Sequence, residues 1–286
     1  MPNMHTPTAF NYGKENDKTV RMYSPLQLGI KYLKYYATAS NGKGHGVHSP
    51  FVFEFITRVL NDDRQFYAYQ PIENLRKLLL ADTRTVAVKD LGAGSRVEKT
   101  QSRLVKQIAH SSLKPARFSQ LLFRMVDFYQ PRIVLEMGTS LGVTTAYLAA
   151  AGNNARIITM EGAGEVAALA KKNFEKLQIS NAEMLEGNFD DTLPGLLDRE
   201  KRLDFVFIDG NHRYEPTVRY FHQLLPALHE YSILVFDDIH WSKEMEQAWN
   251  DICKHEAVNL TIDLFFIGLV FFRKENREKQ HFSIRF

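Results

Sequence analysis

Cysteine is nearly missing from this chain. Cys253 is the single one among 286 residues, so no internal disulfide can form and a reducing compartment is expected. Long apolar runs are missing too. Nothing approaches the about 18 uninterrupted apolar residues that a spanning helix needs, so no membrane span is expected. The start, Met1-Pro-Asn-Met-His5, has no basic stretch leading into an apolar one; no secretory leader is expected, and the cytoplasm is the expected location. Internal repeats and low-complexity tracts are absent. So are dense Lys/Arg patches and any Asn-Pro-Pro-Tyr-type base-flipping motif, which counts against a nucleic-acid partner.

What remains is a composition that can fold. Hydrophobic residues make up 44% of the chain and the formal net charge is +3, which argues against global disorder. The charge is uneven. Residues 1–112 hold 16 Lys/Arg against 9 Asp/Glu, and the rest holds 20 against 24. A basic N-terminal part could meet an anionic partner, although its charges are scattered as on an ordinary solvated surface.

Three regions are expected: a loose tail over 1–20, a mainly helical cap over 21–113, and an α/β domain over 114–286. In the cap, helical spacing marks Pro25–Ala39, with Leu26, Ile30 and Leu33 on one face, then Pro50–Leu60 and Ile72–Ala81. The aromatic faces around Tyr32–Tyr36 and Phe51–Phe55 suit core or homodimer contacts. Between the first two helices lies a Gly/His-rich loop carrying His45 and His48, a candidate lid. Arg84–Asp90 reads as a strand, and Glu98–His110 and Pro115–Tyr129 as helices.

Past Pro131 the texture changes. Apolar runs at Ile133–Met137, Ile157–Glu161, Ala182–Glu186, Phe205–Asp209, Ile233–Asp237 and Leu264–Phe272 alternate with amphipathic helices. Continuous apolar strands separated by helices predict a parallel sheet covered on both faces. The fold class expected is therefore a Rossmann-like, seven-stranded, mostly parallel sheet with an N-terminal helical appendage.

The sharpest local signal is Glu136-Met-Gly-Thr-Ser-Leu-Gly142. A buried strand runs into a glycine turn, and the turn opens a helix. Gly138 and Gly142 allow close backbone approach and φ > 0, and the first N–H groups of the helix face a ligand. The next strand ends in Glu161, where an acid accepts hydrogen bonds from ribose hydroxyls. An NAD-type fingerprint would need glycine where Ser140 stands. A second glycine turn, Asp90-Leu-Gly-Ala-Gly-Ser95, is set aside because no strand ending in an acid follows at the right distance.

Two more strands end in acids, Asp209 and the pair Asp237-Asp238. At the carboxyl ends of a parallel sheet they would converge beside the glycine turn. Three carboxylates there call for a cation, and oxygen ligands favour Mg²⁺, Ca²⁺ or Mn²⁺ over zinc.

These motifs, with Phe207-Ile-Asp-Gly-Asn-His-Arg-Tyr214 and Phe236-Asp-Asp-Ile-His-Trp-Ser242, resemble those of class I S-adenosylmethionine (AdoMet)-dependent methyltransferases. The closest resemblance, over roughly 115–274, is to cation-dependent, catechol-type O-methyltransferases and their bacterial relatives. It implies that Glu136, Gly138, Thr139, Ser140 and Gly142 line the methionine end of AdoMet and that Glu161 holds the ribose. It further implies Asn188 and Phe189 at the adenine, with Asp209 shared by cofactor and metal. Asp209, Asp237 and Asp238 match metal-ligand positions, where the family more often has asparagine third. His212 falls where catechol-type relatives place a lysine base, with His240 as the alternative. The activity implied is methylation of a small molecule, on oxygen, aided by a divalent cation. The alternatives are a non-methylating enzyme on the same scaffold, or a nucleic-acid-directed protein using the basic N-terminal part.

Overall fold

The computed structural model describes residues 22–90, 99–152, 154–275 and 278–286. The tail expected at 1–20 and, apart from Asp90, the glycine turn of Asp90–Ser95 lie outside these residues.

The N-terminal part begins with helix α1 (Pro25–Thr38). Ser24 starts it through a capping box with Gln27, two reciprocal bonds of 3.3 and 2.9 Å that satisfy otherwise orphaned N–H groups. Its stripe of Leu26, Ile30 and Leu33 faces solvent, each more than half exposed. The other side is the anchor: Tyr32 and Tyr35 pack on Phe265, and Lys31 pairs with Glu246 at 2.9 Å. Helix α2 (Pro50–Phe55) runs into a π-helical turn, Ile56–Leu60. The Val59 carbonyl exposed by that turn is taken by buried Arg124 at 2.7 Å. Just before the His45/His48 loop the chain meets its own end, Arg285 N–H donating to the Ser40 carbonyl at 3.0 Å; neither histidine lines the cleft described below.

Helix α3 (Tyr69–Ala81) is followed by a two-stranded antiparallel ribbon, β1 (Thr85–Asp90) and β2 (Lys99–Leu104), and then by α4 (Val105–Ser112) and α5 (Ala116–Tyr129). The helix expected over Glu98–His110 is thus half strand. Apolar helical spacing begins only at Val105, and the polar stretch before it pairs with β-branched β1, so tertiary pairing overrides local propensity.

The main sheet comprises β3 (Ile133–Met137), β4 (Arg156–Glu161), β5 (Ala182–Glu186), β6 (Phe205–Ile208), β7 (Ile233–Asp237), β8 (Leu260–Asp263), β9 (Ile267–Phe271) and β10 (Gln280–Ser283), in the order β10-β8-β9-β7-β6-β3-β4-β5. From β5 to β7 all neighbours are parallel; β9 is antiparallel to β7 and β8. The sheet has eight strands rather than the expected seven. The apolar run Leu264–Phe272 supplies only β9 and the turn before it. Edge strand β10, Gln-His-Phe-Ser, is too polar and short to stand out in the sequence.

Alternate residues of each strand feed two cores. Val134, Ile157, Phe205 and Val235 join α2–α5 on one face. Leu135, Ile158, Val206 and Leu234 join α8 (Phe189–Arg199), α9 (Tyr214–Leu224) and α10 (Lys243–Lys254) on the other. Helices α6 (Val143–Ala151) and α7 (Gly164–Lys176) complete the first layer. The core therefore runs unbroken across the boundary expected at Lys114. Among the described residues, no helix is long and apolar enough to cross a membrane.

From β3 the chain moves outward to β4 and β5, and then β6 returns to β3's other side. Open α/β sheets bind ligands at such a switch point, beyond the carboxyl ends of the strands.

Candidate active site

A cleft of about 490 Å³ opens there, within the usual range for small-molecule sites. Gly138 leaves β3 with φ +112°, and a Cβ on it would meet the Asp209 carbonyl oxygen at 2.0 Å. No other residue allows β3 and β6 to part this closely. Ser140, Asn211 and Asp238 also hold positive φ, of 48°, 53° and 53°; all three line the cleft, as strained backbone at functional sites tends to.

On the turn side, the Glu161 carboxylate folds back over the glycine loop. It accepts from the Ser140 N–H at 2.8 Å and the Ala163 N–H at 2.9 Å. Burial pushes its pKa up, and the N–H groups of Ala163, Ser140 and Gly162 pull against that. Two bonds leave a carboxylate with acceptor capacity to spare, and Glu161 faces the cleft. Asn188 caps α8, and Phe189 packs edge-on to Tyr220; both line the same wall.

Three expected cofactor contacts lie elsewhere. Glu136 is fully buried beneath the turn. Its Oε2 accepts from Thr159 at 2.6 Å and from Thr145, while Oε1 has no partner. Burial pushes its carboxyl up to about 8. Thr139 is also buried, its hydroxyl 2.5 Å from that of Thr159. Gly142 caps α6 with φ +79°, and a Cβ there would strike the Phe174 ring at 2.5 Å. These residues shape the turn from behind; Gly138, Ser140 and Glu161 form the wall. Glu136 shares the face of β3 that carries Val134, where Thr145 of α6 and Thr159 of β4 close over it.

On the acid side, Asp209 follows β6, and Asp237 ends β7 with Asp238 beyond it. One ligand atom each from Asp209, His212 and Asp237 lies within 4.8 Å of the others, whereas Asp238 is outside that group. The sequence reading missed the residue among them. Lys114 Nζ contacts Asp237 directly and lies 3.3 Å from Asp209, with its side chain only 10% exposed. It sits 5.5 Å from the centre of the Phe207 ring. Burial alone would lower the Lys114 pKa, but Asp209, Asp237 and Asp238 outweigh it and the ammonium is held raised. Burial pushes Asp237 and Asp238 up to about 6, against the pull of Lys114 and His212. Two carboxylates and an imidazole are donors a divalent ion accepts. The ammonium already bridging those carboxylates does not fit beside such an ion.

His212 lines the cleft, its Nε2 3.6 Å from Asp209 and 4.0 Å from Asp238. His240 does not. Its ring nitrogens bond Glu246 at 3.0 Å and Asp263 at 2.8 Å, and its ring stacks on Phe265. It joins α10 to the far half of the sheet, which removes it as a candidate base; its neighbour Trp241 faces the cleft instead. Ser111 and Ser112, at the end of α4, form part of the rim, and the Ser112 hydroxyl meets that of Ser140 at 2.6 Å. A lysine and two serines before a helix carry no motif, so only the tertiary structure reveals them.

Residues 135–239 match the family model described as a methyltransferase domain. Among solved structures, the chain is similar to a Podospora anserina methyltransferase solved with S-adenosylhomocysteine: 11% identity, TM-score 0.56, covering 90% of this chain and 100% of that one. A Bacillus cereus O-methyltransferase in complex with S-adenosylhomocysteine follows at 18% identity and TM-score 0.50, over 74% and 93%. A Streptomyces achromogenes O-methyltransferase of tomaymycin synthesis, in complex with AdoMet, has 20% identity and TM-score 0.50, over 58% and 86%. At these identities the likeness is one of fold. A search of curated protein sequences finds no match.

Proposed function

We propose that this chain, whose residues 135–239 are a methyltransferase domain, moves the AdoMet methyl group to a hydroxyl oxygen of a small molecule. The observation that carries the reading is Glu161. At the switch point of the sheet, its carboxylate is pinned to the glycine turn by Ser140 N–H at 2.8 Å and still faces the cleft. That is the placement a nucleoside's ribose requires.

Bound there, AdoMet supplies a methyl group made electrophilic by its sulfonium. The chain's own residues do the rest. Gly138 and Ser140 hold the turn open to the ligand, and Glu161 accepts from the ribose hydroxyls. Asn188 and Phe189 border the adenine. His212 stands at the acid side to take the acceptor's proton. The net acidic character of the Asp209–Asp237–Asp238 cluster suits a cationic cosubstrate. Holding the acceptor oxygen in line with the methyl group is the main source of rate. An O-acceptor is favoured because an acid-flanked imidazole deprotonates a hydroxyl, while a neutral amine needs no such help. The cytoplasm remains the location we assign, in keeping with the single free Cys253.

The test is calorimetric titration of S-adenosylhomocysteine into the protein, followed by transfer of radiolabelled methyl to a panel of phenols, catechols and aliphatic alcohols. Saturable binding and labelled ether products are expected. Absence of S-adenosylhomocysteine binding would end the proposal.

A further inference from the structure

Resting on the methyltransferase reading, we propose that Lys114 is the built-in cation of this site: its ammonium stands where a divalent ion would bridge Asp209 and Asp237, so methyl transfer needs no metal.

The geometry leaves a divalent ion no room on these ligands. Lys114 Nζ touches Asp237 and lies 3.3 Å from Asp209. An added ion would share both carboxylates with an ammonium at contact distance. Displacing the lysine is opposed from two directions. The Lys114 carbonyl is fixed by Arg76 Nη1 at 2.5 Å, and Arg76 is itself buried and held by Glu73 at 2.9 Å. Pro115 follows and opens α5. Swinging the side chain out would also leave Asp237, 4% exposed, with a buried charge and no partner.

The ammonium can do what the ion would do. It has three N–H donors; two go to Asp237 and Asp209, and one remains for the acceptor oxygen in the cleft it lines. There it stabilises the negative charge that grows as the proton leaves, the role of a preorganised donor. Flanked by two carboxylates, it stands as an ammonium, so it donates and does not act as the base. The step balances. The acceptor's O–H proton goes to the His212 imidazole and an oxygen electron pair forms the C–O bond. The methyl–sulfur bond breaks with its electron pair left on sulfur. The products are the methyl ether, S-adenosylhomocysteine and a protonated His212, while Lys114 neither gains nor loses a proton.

The experiment is Mn²⁺ titration followed by electron paramagnetic resonance, on wild type, Lys114→Ala and Lys114→Arg, with S-adenosylhomocysteine titrated in parallel. Wild type and Lys114→Arg should leave Mn²⁺ free, whereas Lys114→Ala should gain one bound Mn²⁺ per chain. Activity on any acceptor found should change less than about twofold in EDTA, well inside a tenfold change (about 1.4 kcal/mol). One tightly held Mn²⁺ in wild type, lost in Asp237→Asn, would overturn the proposal. So would a Lys114→Ala protein that binds S-adenosylhomocysteine but no Mn²⁺, because the acids would then not form a cation site. Failure of wild type to bind S-adenosylhomocysteine sinks the methyltransferase reading instead, and is seen separately from the Mn²⁺ signal.

Discussion

The two halves of the cleft are built by opposite means. The turn half comes from one stretch of chain: β3, its glycine loop, and Glu161 one strand later, joined by backbone N–H groups. The acid half is assembled from β6, β7 and a lysine that enters from before α5. In the first, a carboxylate is neutralised by dipoles that come with the loop; in the second, by a charge brought from far along the chain. The local half therefore holds together through neighbours in sequence, while the assembled half depends on a long-range pair.

Removing that pair should have the largest effect. Lys114→Met leaves buried Asp237 uncompensated and should lower stability by about 3–5 kcal/mol in urea denaturation. A loss below about 1 kcal/mol would erase the contrast between the halves. In the turn half, Gly138→Ala must force φ +112° on alanine and push against the Asp209 carbonyl. A cost of about 1–3 kcal/mol is expected, with S-adenosylhomocysteine binding lost by calorimetry. Glu161→Gln removes a charged acceptor and should weaken S-adenosylhomocysteine about tenfold to a hundredfold, the value of one or two charged hydrogen bonds.

Glu136 sharpens the comparison by pH. Its carboxyl rises from 4.5 to about 8 on folding, chiefly through burial. The folded state therefore binds this proton more tightly than the unfolded chain does. That contribution is fully present below about 4.5 and is lost as pH rises through 8, at about 1.4 kcal/mol per pH unit while the group titrates. Between pH 6 and 8, above the Asp237 and Asp238 titrations, urea midpoints should fall in wild type and stay flatter in Glu136→Gln. Parallel curves would show that Glu136 is not the buried acid described here. The smallest effect belongs to His240. His240→Ala should leave S-adenosylhomocysteine affinity within about twofold, since the ring serves Asp263 and Glu246 rather than the cleft.

Legibility followed the same division. The strands from β3 to β7 and the turn could be read because apolar runs, glycines and terminal acids lie within a few residues of one another. The strand-end position of Glu136 drew it into the expected cofactor set, although it is buried beneath the turn. His212 and His240 look equivalent, each three residues from an aspartate; only the packing of α10 against β8 and Phe265 separates them. Lys114 had no local sign at all. Its carbonyl is bonded by Arg76 from another helix, a contact that sequence spacing does not show. The Leu26–Ile30–Leu33 stripe marked its helix correctly and faces solvent, since periodicity reports a helix face without saying what meets it.

The strip from Ser111 to Pro115 serves both halves at once. Ser112 rests on Ser140 of the glycine loop, and two residues later Lys114 reaches the acids. Held by Ser140 at one end and by Arg76 and the acids at the other, this five-residue strip fastens the glycine loop to the acid cluster, so a substitution within it is felt on both sides of the cleft.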